Sequence, residues 1–201
     1  MRRIFAFLCV LLAGCIGAIR PPDQPVASGL TGGNARSVQL LMPFQDRRAE
    51  PARCGMLKNT YNMEVRNITC ETPPAQFLAE LLATELKAAG FNVVTSALPD
   101  SQTVVLEGSL LQFFLEPDVS PFYIAPEADI HVLLVARSAS GLAASRDFYV
   151  KGTDASFFVT GSNYQTASNR AVKEIVTNMV AAVSQLMNRF PPLGAPPASR
   201  L

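Results

Sequence analysis

The chain has 201 residues, 49% of them hydrophobic, with 17 Lys and Arg against 16 Asp and Glu, one histidine and four cysteines. That length suits one domain with a sizeable core. A formal charge of +1 with no block of like charges excludes nucleic acid as a partner, because phosphate recognition needs clustered Lys and Arg with interleaved aromatics.

The N-terminus opens with Met1-Arg2-Arg3, continues through the apolar run Ile4 to Leu12 and closes on Leu12-Ala13-Gly14-Cys15. A charged start, a short greasy stretch and small residues before a cut describe an export signal, and the closing cysteine resembles the bacterial lipobox. That resemblance implies a signal peptide over 1–14, lipid transfer to the Cys15 sulfur, cleavage before Cys15 and acylation of its new amine. Two other readings stand beside it: an uncleaved membrane span, and a plain secretory signal in which Cys15 is incidental. A span needs about 20 apolar residues, and Ile4 to Ile19 falls short and is broken by Gly14 and Gly17. The lipoprotein sorting rule, with Ile16 rather than Asp after the cysteine, implies the periplasmic side of the outer membrane. Without Arg2 and Arg3 the formal charge moves from +1 to −1.

Residues 15–36 carry Pro21, Pro22, Pro25, Gly29, Gly32 and Gly33 without an apolar period. They are predicted to be a flexible tether, which as a coil would set the domain roughly 25 Å from the membrane. The domain itself is predicted over 37–190, and the Pro-rich segment 191–201 as a disordered tail.

Within the domain, Ser37 to Phe44 reads as a first strand. The next segment holds Cys54 and Cys70, the two cysteines left once Cys9 departs with the signal and Cys15 is acylated. In an oxidising compartment they are predicted to form a disulfide. A zinc site is the competing reading, but two cysteines and one distant histidine do not fill a tetrahedral shell. Lys58 to Asn62 has turn character, and Met63 to Ile68 alternates like a strand. Thr72 is then predicted to cap a helix with Pro73 in its first turn, Phe77, Leu78, Leu81, Leu82 and Leu86 on one face, and Gly90 at its end.

Four segments rich in β-branched and aromatic residues follow, at 91–95, 103–115, 122–137 and 146–159, and their turn signals predict an antiparallel meander. Along the third, Ala128, Ile130, Val132, Leu134 and Ala136 share one face, with Asp129, His131 and Arg137 on the other. The last element is amphipathic, with Ala171, Val172, Ile175, Val176, Met179, Val180, Val183, Leu186 and Met187 at helical spacing. The order of elements predicts an α+β fold: a two-layer sandwich of a mainly antiparallel sheet with two helices packed on one face.

With these elements in order, the chain resembles the YajG-like bacterial lipoproteins and, more loosely, the auxiliary lipoproteins of lipid-handling ABC transporters. The resemblance rests on Cys15, on Phe77-Leu78-Ala79-Glu80-Leu81-Leu82 with Gly90-Phe91-Asn92-Val93, and on Tyr123 to Ile130. Phe148-Tyr149-Val150-Lys151-Gly152 and Ala167-Ser168-Asn169 with Ala171-Val172 complete it, and the match spans residues 37–185. It implies an outer-membrane lipoprotein with a periplasmic domain and supplies no catalytic residue and no cofactor.

Searches for catalytic constellations return little. His131, the only histidine, would have to serve any Ser-His-Asp arrangement; no Gly-x-Ser-x-Gly elbow occurs; and scattered acids such as Glu107, Glu116, Asp118, Glu127 and Asp129 do not by themselves make a glycosidase pair. The chain is therefore expected to be no enzyme and to hold no metal, with an envelope hydrolase as the weakest alternative. Binding is the stronger expectation. Phe113-Phe114, Phe122-Tyr123, Phe148-Tyr149 and Phe157-Phe158 are adjacent pairs, and strand neighbours point to opposite faces, so one of each pair should leave the core. The outward members are candidates for an apolar face that meets an envelope protein, a lipid or another copy of the chain, unless loops cover them.

Overall fold

The computed structural model describes residues 17–23, 25–95, 103–138, 141–156 and 160–189, the side chains of the last two excepted. Cys15, the signal segment 1–14, the tail 191–201 and the pair Phe157-Phe158 lie outside the described residues. The strands in chain order are β1 (Ala18–Ile19), β2 (Ser37–Leu40), β3 (Gln45–Asp46), β4 (Gly55–Lys58) and β5 (Glu64–Cys70). Helix α1 (Pro74–Ala88) follows, then β6 (Asn92–Val94), β7 (Val104–Val119), β8 (Ile124–Arg137), β9 (Ala143–Thr153) and α2 (Gly161–Arg189).

The long strands β7, β8 and β9 form an antiparallel meander, with Glu107 opposite Val135 and His131 opposite Tyr149. The free edge of β7 is shared along its length by three short parallel strands: β2 at Val104–Leu106, β3 at Ser109–Leu110 and β4 at Leu115. Beyond β2 lies β6, parallel to it, and beyond β4 lie β5, antiparallel, and then β1. The result is one open, mainly antiparallel sheet with both helices on one face. The segment 91–95 departs from the expected meander. It pairs with β2 rather than with β7, because α1 carries the chain over the sheet from β5 to the far side of β2.

Alternation explains the layering. Ala128, Ile130, Val132, Leu134 and Ala136 are all at most 1% exposed, while their odd-numbered neighbours are half-buried or exposed. They face the period-3.6 stripe of α2, of which Ala171, Val172, Ile175, Val176, Met179, Val180 and Val183 are fully buried. The Phe77 ring of α1 meets the Phe113 ring of β7 edge to face at 5.7 Å.

Helix α1 begins one residue later than predicted. Pro73, not Thr72, stands at the N-cap without a side-chain cap bond, and Pro74 is the first helical residue. A residue before proline is driven to extended ψ, and Pro73 has ψ 125°. Gly90, with φ +90°, follows the C-cap as expected. The start of α2 is fixed at Thr160, whose backbone N–H donates to Asn163 Oδ1 at 2.9 Å, half of a capping box.

The largest departure concerns the expected tether. Ile19 and Val26 are 2% and 4% exposed, and β1 runs alongside β5. Arg20 exchanges hydrogen bonds with the Gln165 side chain of α2 at 3.0 and 2.9 Å. The backbone N–H groups of Ala27 and Ser28 donate to the carboxylate of Glu85 at 3.0 and 2.8 Å. Residues 17–36, where described, are a strap bound to the domain. Two isolated apolar residues and a string of backbone contacts carry no period, so composition alone reads this stretch as coil.

Candidate functional site

The two helices cover one face of the meander and leave the other open, and on that face the side chains interlock across strands. His131 Nε2 lies 2.5 Å from Asp147 Oδ1. Tyr149 packs edge to face on the His131 ring, centroids 6.1 Å apart, and its hydroxyl donates to Asp129. Lys151 Nζ reaches Glu127 at 2.6 Å and Asp129 at 3.6 Å. Toward the β4 side Lys58 pairs with Glu116, and Arg53 pairs with Glu64 at 2.7 Å while its guanidinium lies 5.5 Å from the centre of the Phe114 ring.

These pairings set the protonation of the face. Hydrogen bonding to Asp129, then burial, pushes the Tyr149 phenol above its ordinary value. The hydrogen bond to Glu127 raises the Lys151 ammonium further, against a smaller opposing effect of burial. Both shifts lock in the states already dominant at neutral pH, a neutral phenol and a charged amine. His131 has an acid and a hydroxyl-bearing ring beside it, yet that hydroxyl turns to Asp129 and the Asp147 side chain is 64% exposed. Among the described residues, no set of three or more His, Cys, Asp or Glu is placed to hold a metal, and no helix is long and apolar enough to cross a membrane.

The six aromatics singled out from the sequence are not one surface. Phe113 is 1% exposed in the core, Phe114 is half-buried beneath Arg53, and Phe148 packs partly against the core. Tyr149 is exposed near the middle of the open face, whereas Phe122 and Tyr123 project from the β7–β8 turn. The outward face is a mixed ladder rather than an apolar patch, because Glu127, Asp129, His131, Asp147 and Lys151 alternate with the core residues of β8 and β9 beside Leu133 and Val135. Phe113 and Phe114 do border a cavity of about 420 Å³ with Met56, Leu111 and Arg53. Sequence reasoning passed over Tyr61, Met63 and Val65, exposed on the β4–β5 hairpin; the turn signal at Lys58 to Asn62 was the clue, since side chains at a hairpin tip have nothing to pack on.

Cys54 and Cys70 are joined by a disulfide, with Cα atoms 5.8 Å apart. It closes the base of the β4–β5 hairpin, one residue before Gly55 and two after its register partner Ile68.

No family model matches the chain, and no curated protein matches it in sequence. Among solved structures, protein XCC0632 from Xanthomonas campestris, of family DUF330, is similar with a TM-score of 0.62 at 12% identity, covering 86% of this chain and 98% of that one. Protein CT253 from Chlamydia trachomatis gives 0.45 at 10% identity over 75% and 96% of the two chains. A minor lipoprotein from Acinetobacter baumannii gives 0.40 at 11% identity over 80% and 98%. The chain shares its fold with the Xanthomonas protein.

Proposed function

We propose that this protein is a noncatalytic lipoprotein, held at the periplasmic face of the outer membrane by acyl chains on Cys15, whose domain serves as an accessory subunit of an envelope complex. The observation that carries the reading is the open face of β7, β8 and β9. One side of the sheet is covered by both helices, and the other presents an array of paired charges, hydroxyls and half-exposed apolar side chains such as Leu133 and Val135. Mixed surfaces of that kind suit a protein partner, where charges give orientation and apolar side chains give affinity.

The test is site-specific photocross-linking in intact cells, with the cross-linker at Tyr149 on the open face and at Lys173, exposed on α2. Adducts to one envelope protein from position 149, absent at 173 and lost in a Cys15→Ser variant, are the expected result. Self-adducts alone at both positions would refute an envelope partner.

A second reading, an auxiliary lipoprotein of a lipid-handling ABC transporter, is favoured by the cavity beside Phe114, whose apolar wall of Met56, Leu111 and Phe113 lies next to the Arg53 guanidinium. That pairing suits an acyl chain with an anionic head. Native mass spectrometry of the purified protein should then detect bound phospholipid that a Leu111→Arg variant loses.

A further inference from the structure

The strands run from one pole of the domain to the other, and one pole gathers the places where the chain turns. Lys58 and Asn62 of the β4–β5 hairpin border the same cavity as Pro117, Asp118 and Val119 at the end of β7. Gly17 borders another cavity with Thr69 and with Gly161 and Ser162 at the start of α2, and Ser156, just upstream of α2, is bridged to Ile124 at the start of β8. Because β1 is parallel to β5, the direction from Ile19 back toward the N-terminus is the direction from Cys70 back to the hairpin tip. The Gly17 carbonyl accepts from the Thr69 hydroxyl at 2.9 Å beside the base of that hairpin, and the line of β1 continued past Gly17 points toward the tip. Cys15 is two residues further back, a reach of at most about 7 Å.

The same pole carries most of the exposed apolar side chains. Of the eight large hydrophobics exposed among the described residues, five are on these two hairpins: Tyr61 at 80%, Met63 at 56%, Val65 at 60%, Phe122 at 84% and Tyr123 at 44%. We propose that this pole rests on the bilayer that holds Cys15, with the hairpin tips carrying Tyr61 and Phe122 inserted at headgroup level. The inference rests on the reading of Cys15 as acylated.

Aromatic side chains favour the membrane interface, where a ring is dry at one end and wet at the other. Anchored acyl chains make each tip contact intramolecular, so weak single contacts suffice. Among the described residues the pole carries no basic cluster, and Lys58 is already paired with Glu116; the contact is therefore apolar and insensitive to salt. The sheet then stands upright on the membrane with its open face turned sideways into the periplasm, rather than floating at the end of a coil.

The chain contains no tryptophan, so single Phe122→Trp and Tyr61→Trp variants are unique reporters, with Tyr149→Trp on the open face as reference. Each full-length lipidated protein is reconstituted into phosphatidylethanolamine and phosphatidylglycerol vesicles containing acyl-brominated lipid. The expected result is blue-shifted emission and loss of intensity from the Phe122→Trp and Tyr61→Trp variants, whose rings would sit at the interface, with the Tyr149→Trp variant unaffected. Vesicle-bound protein whose tip reporters are unquenched and open to iodide would overturn the proposal while leaving the anchor intact. Blue-shifted emission indifferent to bromine would also overturn it, by showing a protein surface over the tips. Failure of the purified protein to float with vesicles, with Cys15 unmodified by mass, would remove the anchor and the proposal together.

Discussion

Arg48 is a buried cation, its side chain 5% exposed, and it is satisfied by Asp46 at 2.8 and 2.9 Å and by the carbonyls of Pro51 and Arg53 at 2.6 and 3.0 Å. Burial opposes ionisation of Asp46, but the hydrogen bonds and charge of Arg48 outweigh it and hold the carboxyl below its ordinary value. A depressed carboxyl contributes stability above its unfolded pKa, about 3.9, and loses it as pH falls through the folded value. An Asp46→Asn variant is therefore expected to be less stable at neutral pH and to converge on the wild type in acid, as read from urea midpoints at several pH values. Tyr164 makes the opposite case: it is 2% exposed, and burial pushes its phenol up to about 12. Its stabilisation is complete below the ordinary phenol pKa and is lost as pH rises toward that figure. Absorbance titration should show one of the four tyrosines ionising only near pH 12, and a Tyr164→Phe variant should lack that step. Gly152 is constrained by contact instead. A Cβ there would meet the Ala167 carbonyl oxygen at 2.3 Å and the Ala171 nitrogen at 2.6 Å, both helix backbone that cannot step aside. Gly152→Ala should cost at least about 1–3 kcal/mol in denaturant unfolding.

At the scale of elements, β8 is decided by alternation, and its two faces should answer differently to the same substitution. Ile130→Ala empties a fully buried site and should cost about 2–5 kcal/mol. Leu133→Ala, on the half-exposed face, should cost under about 1 kcal/mol. Equal losses in thermal or urea unfolding would mean that something covers the open face. These two elements, β8 and α2, were legible in the sequence because period 2 and period 3.6 persist over many residues. The pairing of β6 was not legible, since Asn92-Val93-Val94 is too short to specify a neighbour and the α1 crossover chooses it. The site was legible in the same uneven way. Cys54 and Cys70 follow from compartment and count, whereas strand parity says only that one of Phe113-Phe114 and one of Phe148-Tyr149 faces outward, and the packing of β7 and β9 decides that these are Phe114 and Tyr149. The mixed ladder does not follow from the sequence, because Asp147 reaches His131 only through the register of β9 on β8, which one strand's sequence does not contain.

For the molecule as a whole, the strap decides how the domain meets whatever holds its N-terminus. Glu85 is the residue that fixes its middle: 3% exposed, on the face of α1, it accepts the N–H groups of Ala27 and Ser28. A carboxylate with two backbone donors makes charge-assisted bonds, each roughly twice as strong as a neutral one. Removing it leaves two amides without an acceptor in a half-buried place, at about 1–3 kcal/mol for an unsatisfied group. Glu85→Gln keeps one carbonyl oxygen and Glu85→Ala keeps none, so the loss of stability should rank alanine above glutamine. The spatial readout separates a strap from a helix effect. In Glu85→Ala, amide hydrogen exchange should quicken first at residues 25–30, while α1 itself, whose buried Leu78, Leu82 and Leu86 are untouched, remains protected. The β1 segment should also stay protected, because Ile19 and the Gln165 bonds hold it independently. Released at Glu85 but pinned at β1, the chain would form a loose loop without freeing the pole. Release of the pole needs an Ile19→Asp change, which alone should put the domain on a short leash ending near Val26 and, combined with Glu85→Ala, on a longer one.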